Sequence, residues 1–117
     1  AFFSPYFPVA NAQVRRFYED CGFTVVRDLC LQRPSPVQIA HTTDAMCRDA
    51  LKQLDGDDID AIVQVGTNLS MVRFAAAAEL FLGKPVIAIN TATYWHALRA
   101  VGIQDKMQGF GTLLSHH

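Results

Sequence analysis

The feature that most constrains this chain is an alternation. Four short apolar runs are each followed by a stretch in which apolar residues recur at helical spacing. The clearest run is "IDAIVQV" (Ile59–Val65). It is apolar almost without interruption, as a parallel strand covered on both faces must be. Two-residue alternation, the mark of a half-exposed antiparallel strand, is missing from it. The pattern β-α-β-α-β-α-β-α therefore predicts a parallel sheet with helices on both faces. Right-handed crossovers favour the strand order 2-1-3-4, a flavodoxin-like α/β fold.

Local signals place the elements. Residues 1–5 form an apolar strand that ends at a proline turn. Ala10, Val14, Phe17 and Cys21 mark the first helix, and Gly22 stops it. "FTVV" (Phe23–Val26), aromatic and β-branched, reads as the second strand. Ser35, Pro36 and Gln38 make a capping box at a helix start. That helix is expected to continue through Ile39, Thr43, Cys47, Ala50 and Leu54 to a turn at Asp55–Asp58. After the third strand, Thr67 or Asn68 is expected to cap a helix that runs to Leu82. Within it "FAAAAELF" reads as a packing helix. Gly83–Pro85 separate it from the fourth strand, "VIAI" (Val86–Ile89). "NTAT" then opens a last helix closed by Gly102, and the tail after it reads as irregular. His116 and His117 are either native or the remnant of a tag.

Length and composition bound the function. The 117 residues are half hydrophobic and 18% charged, which suits one folded domain, 1–117. A net charge of −1 argues against a nucleic-acid surface driven by charge. No apolar run approaches the roughly 20 residues of a membrane span, and no signal peptide is visible. Cys21, Cys30 and Cys47, an odd number without CxxC spacing, argue against a disulfide framework or a zinc site and for reduced thiols in the cytoplasm. The abrupt start at "AFFSPY" suggests that Ala1–His117 is part of a longer chain or a processed piece.

Ligands of such sheets bind at the carboxyl ends of the strands, beside the switch point between strands 1 and 3. Three turns converge there: Ser4–Pro5–Tyr6, Gly66–Thr67–Asn68, and Asn90–Thr91 with Thr93. They carry hydroxyls and amides and no carboxylate. Two of them lead into helix N-termini, whose free N–H groups and positive dipole end favour anions, and Gly66 lets the backbone approach a ligand closely. A small carboxylate fits this chemistry. Read from the residues alone, the alternatives stay open: Thr, Asn and Ser are also ordinary caps, Gly66 is also an ordinary turn residue, and Tyr6 is also an ordinary packed aromatic. No GxGxxG or P-loop motif supports a nucleotide. Ser70 lies outside a GxSxG setting. His41 and His96 have no partner at metal-ligand spacing and read as surface or packing residues, as Trp95 beside Tyr94 reads as core or interface.

At these turns the chain resembles the aspartate/glutamate racemase superfamily, in particular its maleate isomerase and arylmalonate decarboxylase branch. "SPYFPVANAQVRRFYEDCGFTVV", "SPVQIA", "DAIVQVGTNLS", "GKPVIAINTATYWHALRAVGI" and "GFGTLL" are similar, in order and spacing, to the C-terminal half of those two-half enzymes. The resemblance implies cofactor-independent chemistry on a small carboxylate or dicarboxylate, with the active site between two α/β halves. It implies that Tyr6 hydrogen-bonds a substrate carboxylate, that the N–H groups of Thr67 and Asn68 help form its pocket, and that Asn11 braces it. Thr91 and Thr93 join the same edge. It also implies that the family's catalytic cysteine falls on Gly66, which carries no side chain, so this half supplies no thiol. The expected partner is a companion α/β half or a second copy of the chain. The alternative is a non-catalytic module that binds a small carboxylate or serves as a dimeric scaffold.

Overall fold

The computed structural model describes all residues from Ala1 to His117. Its elements run β1 (Phe2–Ser4), α1 (Pro8–Asp20), β2 (Asp28–Cys30), α2 (Pro36–Ala40), α3 (Asp44–Leu54), β3 (Ile62–Gln64), α4 (Val72–Leu82), β4 (Val86–Ala88), α5 (Ile89–Ala100) and α6 (Thr112–His116). The sheet has the order β2-β1-β3-β4 and every pairing is parallel. This is the flavodoxin-like arrangement expected from the alternation.

Consecutive strand residues face opposite sides of a sheet, and Phe2 and Phe3 divide accordingly. Phe3 joins Ile62, Val86 and Ala88 in the main core with Cys47, Ala50, Leu51 and Leu54 of α3 and Ala75 and Ala78 of α4. Phe2 packs instead against Tyr18 of α1 on the other face, with ring centroids 5.8 Å apart. Helices therefore cover both faces.

Four expectations are corrected. First, the second strand is Asp28–Cys30 and not Phe23–Val26. The register Phe2↔Asp28 and Phe3↔Leu29 is fixed by side chains from α1 that hold Asp28, whereas Phe23 and Val26 remain exposed. Cys30, expected after the strand, is its last residue. Second, the second helix is broken. α2 ends at His41, which is thus a cap and not mid-helix, and Thr43 caps α3 by accepting from the Met46 N–H at 3.3 Å. The Ser35 cap on Gln38 is present at 3.2 Å. Third, neither Thr67 nor Asn68 caps a helix. α4 begins at Val72 behind Met71, with no side-chain cap, and α5 follows β4 directly from Ile89. Fourth, the tail holds the short helix α6, whose start is tied to α4 by Glu79 accepting from the Thr112 N–H (2.8 Å) and hydroxyl (2.9 Å). No helix is long and apolar enough to cross a membrane.

Candidate functional site

The carboxyl edge of the sheet is built around Pro5. β1 ends at Ser4, and the chain turns through buried Pro5 to half-buried Tyr6. The next loop, after β2, is laced to this turn through backbone bonds. Leu31, Gln32 and Arg33 donate their N–H groups to Ser4 O (2.9 Å), Tyr6 O (3.1 Å) and Pro5 O (2.8 Å). Gln32 adopts a left-handed φ of +49°, the sole non-glycine residue to do so, and local strain of this kind concentrates at functional edges.

On the other side of Pro5 lies Gly66, with φ +104°. A Cβ placed on Gly66 would sit 2.7 Å from Pro5 Cδ, 2.9 Å from Pro5 Cγ and 3.3 Å from the Tyr6 hydroxyl. The ring of Pro5 thus fills the space that a side chain at position 66 would need, and the Tyr6 hydroxyl opens onto the same point. Glycine is required here by conformation and by contact together.

The turn after Gly66 is held from two sides. Gln64 Nε2 donates to Gly66 O at 2.8 Å, inside the core. Asn90 Nδ2, from the first turn of α5, donates to Thr67 O at 3.0 Å. The Leu69 N–H also donates to Gly66 O, at 3.1 Å, while the N–H groups of Thr67 and Asn68 donate to no protein acceptor. Asn68 spends its side chain on Pro36 O at 2.5 Å, which joins the start of α2 to the turn.

Behind the edge is a buried polar chain. Asn11 of α1 accepts from the Ser4 hydroxyl and donates through Nδ2 to Asp28 Oδ2 (2.8 Å) and Leu29 O (3.1 Å). Arg15 closes the chain onto Asp28 Oδ1 at 2.5 Å. Burial pushes the Asp28 carboxyl up, but the hydrogen bonds from Arg15 and Asn11 and the charge of Arg15 outweigh it, so its pKa is lowered. The Ser4 hydroxyl oxygen in turn accepts from the Tyr6 N–H at 3.0 Å. Both N–H donors of Asn11 are thus spent, so none is left for a carboxylate, and it braces the Tyr6 turn through Ser4.

The remaining expected residues fall as follows. Thr91 is buried in the first turn of α5, and its hydroxyl has no hydrogen-bond partner. Thr93 is exposed and donates back to Ile89 O at 2.8 Å. The structure thus brings together Tyr6, Gly66, Thr67 and Asn90 by direct contact, and ties Asn68 and Asn11 to the same edge through other residues. Gln64 was not among the expected site residues. Its signal was visible, since it is the sole uncharged polar residue in the apolar run Ile59–Val65. Nothing in the sequence flags Arg15 and Asp28, because Phe23–Val26 has the stronger strand character and draws the second strand away from Asp28–Cys30. No group of three or more His, Cys, Asp or Glu side chains is placed to hold a metal ion. The one partly buried thiol at this edge, Cys30, has its pKa raised by burial and then by the charge of Asp28, the opposite of what an activated thiol needs.

No protein-family model and no curated protein sequence matches the chain. Solved structures do. A Nocardia farcinica maleate cis-trans isomerase variant with a covalently bound succinylcysteine intermediate superposes with a TM-score of 0.94 at 23% identity, over 99% of this chain and 48% of that one. A cysteine-to-alanine variant of the Pseudomonas putida maleate isomerase with maleate gives a TM-score of 0.91 at 25% identity, over 97% of this chain and 46% of that one. Arylmalonate decarboxylase gives a TM-score of 0.83 at 23% identity, over 97% and 51%. The chain spans about half the length of these proteins, and what it shares with them is the α/β fold of a half of maleate isomerase and of arylmalonate decarboxylase.

Proposed function

We propose that this chain is a single α/β domain equivalent to one half of a cofactor-independent isomerase, racemase or decarboxylase of the maleate isomerase and arylmalonate decarboxylase type. In this reading it binds a small carboxylate or dicarboxylate and is not catalytically competent alone. The observation that carries the reading is the Pro5–Gly66 contact. Where Gly66 stands in the position of the family's cysteine, the Pro5 ring occupies the side chain's space and the Tyr6 hydroxyl lies beside it. In this reading the donors for a carboxylate are the Tyr6 hydroxyl and the N–H groups of Thr67 and Asn68, with the unpaired Thr91 hydroxyl in the adjoining helical turn, where Thr93 spends its own hydroxyl proton on Ile89 O. It lacks a side chain at position 66 that could move a proton or attack a double bond.

Catalysis then requires a thiol from a companion half on the opposite face of the bound acid. Such a half, or a second copy of the chain, would also cover apolar side chains that stand exposed beside this edge, namely Phe7, next to Tyr6, and Val37, next to the Pro36 carbonyl that Asn68 holds. The three free thiols fit a cytoplasmic setting.

Calorimetric titration of the 117-residue chain with malonate, maleate and inorganic phosphate tests the binding. Saturable binding of the dicarboxylates, weakened in Tyr6→Phe, is expected. No heat of binding at millimolar ligand would refute the carboxylate site and leave the second reading, a dimeric scaffold, which the absence of any side chain at Gly66 also accommodates. Incubation with a racemisable amino acid in deuterated water should leave its α-proton unexchanged. Exchange by the chain alone would refute the incompetent-half reading.

A further inference from the structure

The turn at Gly66 has two peptide carbonyls, and each accepts from a carboxamide, one on β3 and one in the first turn of α5; the Gly66 carbonyl also accepts from the Leu69 N–H. Gln64 is wholly buried on the apolar face of β3 among Phe3, Ile62 and Ala88, and its Nε2 holds Gly66 O. Asn90, beyond the end of β4, holds Thr67 O. In a trans peptide the C=O and the following N–H point in opposite directions, and no bond in the chain is cis. With Gly66 O drawn down to Gln64, the Thr67 N–H must point up, away from the core. With Thr67 O drawn to Asn90, the Asn68 N–H must point away from α5. Both N–H groups are without a protein acceptor, and both residues are exposed.

Gln64 is costly in its place. Its Oε1 is buried with no hydrogen-bond partner, and an unpaired buried carbonyl is destabilising. A leucine or methionine would suit the surrounding core better. A residue that satisfies one backbone carbonyl while leaving its own oxygen unpaired serves the orientation of that backbone more than the stability of the fold.

We propose that Gln64 and Asn90 are positioning residues: they clamp the carbonyls of Gly66 and Thr67 so that the amides of Thr67 and Asn68 are fixed outward as a preorganised pair of donors for one carboxylate. The clamp itself stands on the geometry of the free protein, and the use of the amides rests on the carboxylate-binding function proposed above. Neither carboxamide touches the ligand. Preorganisation of this kind places donors before the anion arrives, so no reorientation is needed on binding.

The test separates the two claims. Residual dipolar couplings of the Thr67 and Asn68 N–H vectors are measured in the free protein for wild type, Gln64→Met, Asn90→Ala and Asn90→Gln. The Thr67 coupling should change in Gln64→Met and the Asn68 coupling in Asn90→Ala, with the strand couplings unaltered, and Asn90→Gln, which keeps a donor, should restore much of the wild-type value. Gln64→Met should melt no lower than wild type, an outcome that a merely structural role would not give. Malonate affinity, read by calorimetry, should fall about tenfold in Gln64→Met and in Asn90→Ala, the loss expected for misaligned hydrogen bonds to a charged group. Unchanged couplings in both variants would overturn the clamp. Changed couplings with unchanged malonate affinity would overturn its role in binding. If wild type itself binds no malonate, the carboxylate site falls, and the couplings still decide whether the clamp exists.

Discussion

Replacing Gly66 with alanine should cost the fold about 1–5 kcal/mol. The backbone at Gly66 has a φ of +104°, a region in which an L side chain costs about 1–2 kcal/mol. The new Cβ would lie 2.7 and 2.9 Å from two atoms of the Pro5 ring. That ring is buried and cannot change rotamer, and overpacking of this kind costs about 1–3 kcal/mol. Alanine stiffens the unfolded chain, which returns about 0.4–1 kcal/mol. The remainder is a large part of the roughly 5–15 kcal/mol that holds a typical domain together, and it lowers Tm by about 10 °C at this size.

Urea unfolding followed by circular dichroism measures the loss. Gly83 is the internal control. It caps α4 at φ +63°, and a Cβ there meets nothing within 4 Å. Gly83→Ala should therefore show the conformational cost alone, about 1 kcal/mol once the stiffer unfolded chain is counted. Adding Pro5→Ala to Gly66→Ala should recover the clash, with a coupling of about 1 kcal/mol or more. If Gly66→Ala is no more destabilising than Gly83→Ala, or shows no coupling to Pro5→Ala, the close packing that excludes a side chain from position 66 is refuted.

Other outcomes follow from the polar chain and the thiols. Asn11→Ala removes the partner of Ser4, Asp28 and Leu29 in one step and should cost about 2–3 kcal/mol in the same unfolding assay; a loss below the scatter of the method would contradict the bracing role. Because the folded pKa of Asp28 is lowered, its contribution is fully present above the unfolded carboxyl value near pH 4 and is lost as pH falls from there through the folded value. Stability measured from pH 6 to pH 2 should thus decline more gently in Asp28→Asn than in wild type below about pH 4, and parallel curves would contradict this. The Cys47 thiol is buried and pushed up to about 11, by burial and then by Asp44, while Cys21 is exposed. Iodoacetamide at pH 8 should label Cys21 in the native protein and spare Cys47, as read by peptide mass mapping; native labelling of Cys47 ahead of Cys21 would contradict the packing of α3.

Much of this architecture was legible because parallel strands and amphipathic helices differ in period. "IDAIVQV" announced a strand covered on both faces, and the four-fold alternation with right-handed crossovers led to the strand order found. What escaped the sequence depended on partners distant along the chain. Phe23–Val26 has stronger intrinsic strand character than Asp28–Cys30, yet Asp28 is the residue that Arg15 and Asn11 hold from α1, and those contacts set the register. The break between α2 and α3 was signalled by Thr43 ahead of Asp44, a cap hidden by helical spacing that continues across it. At the carboxyl edge, the turns that carry Tyr6, Gly66 and Thr67 could be placed from the sequence alone. The clamp by Gln64 could not, since a glutamine in an apolar strand does not disclose which carbonyl it holds. Nor could the exclusion of a side chain at Gly66, which needs the ring of Pro5 from the turn after β1.

The most direct measurement is a maleate titration of the ¹⁵N-labelled chain followed by amide chemical shifts. The central claim is that the Gly66 turn holds a carboxylate through its backbone. It requires the largest saturable shifts at Thr67 and Asn68, with smaller ones at Tyr6 and none along α3. Shifts that scatter over the surface without saturating, or that centre away from the Gly66 turn, would contradict it.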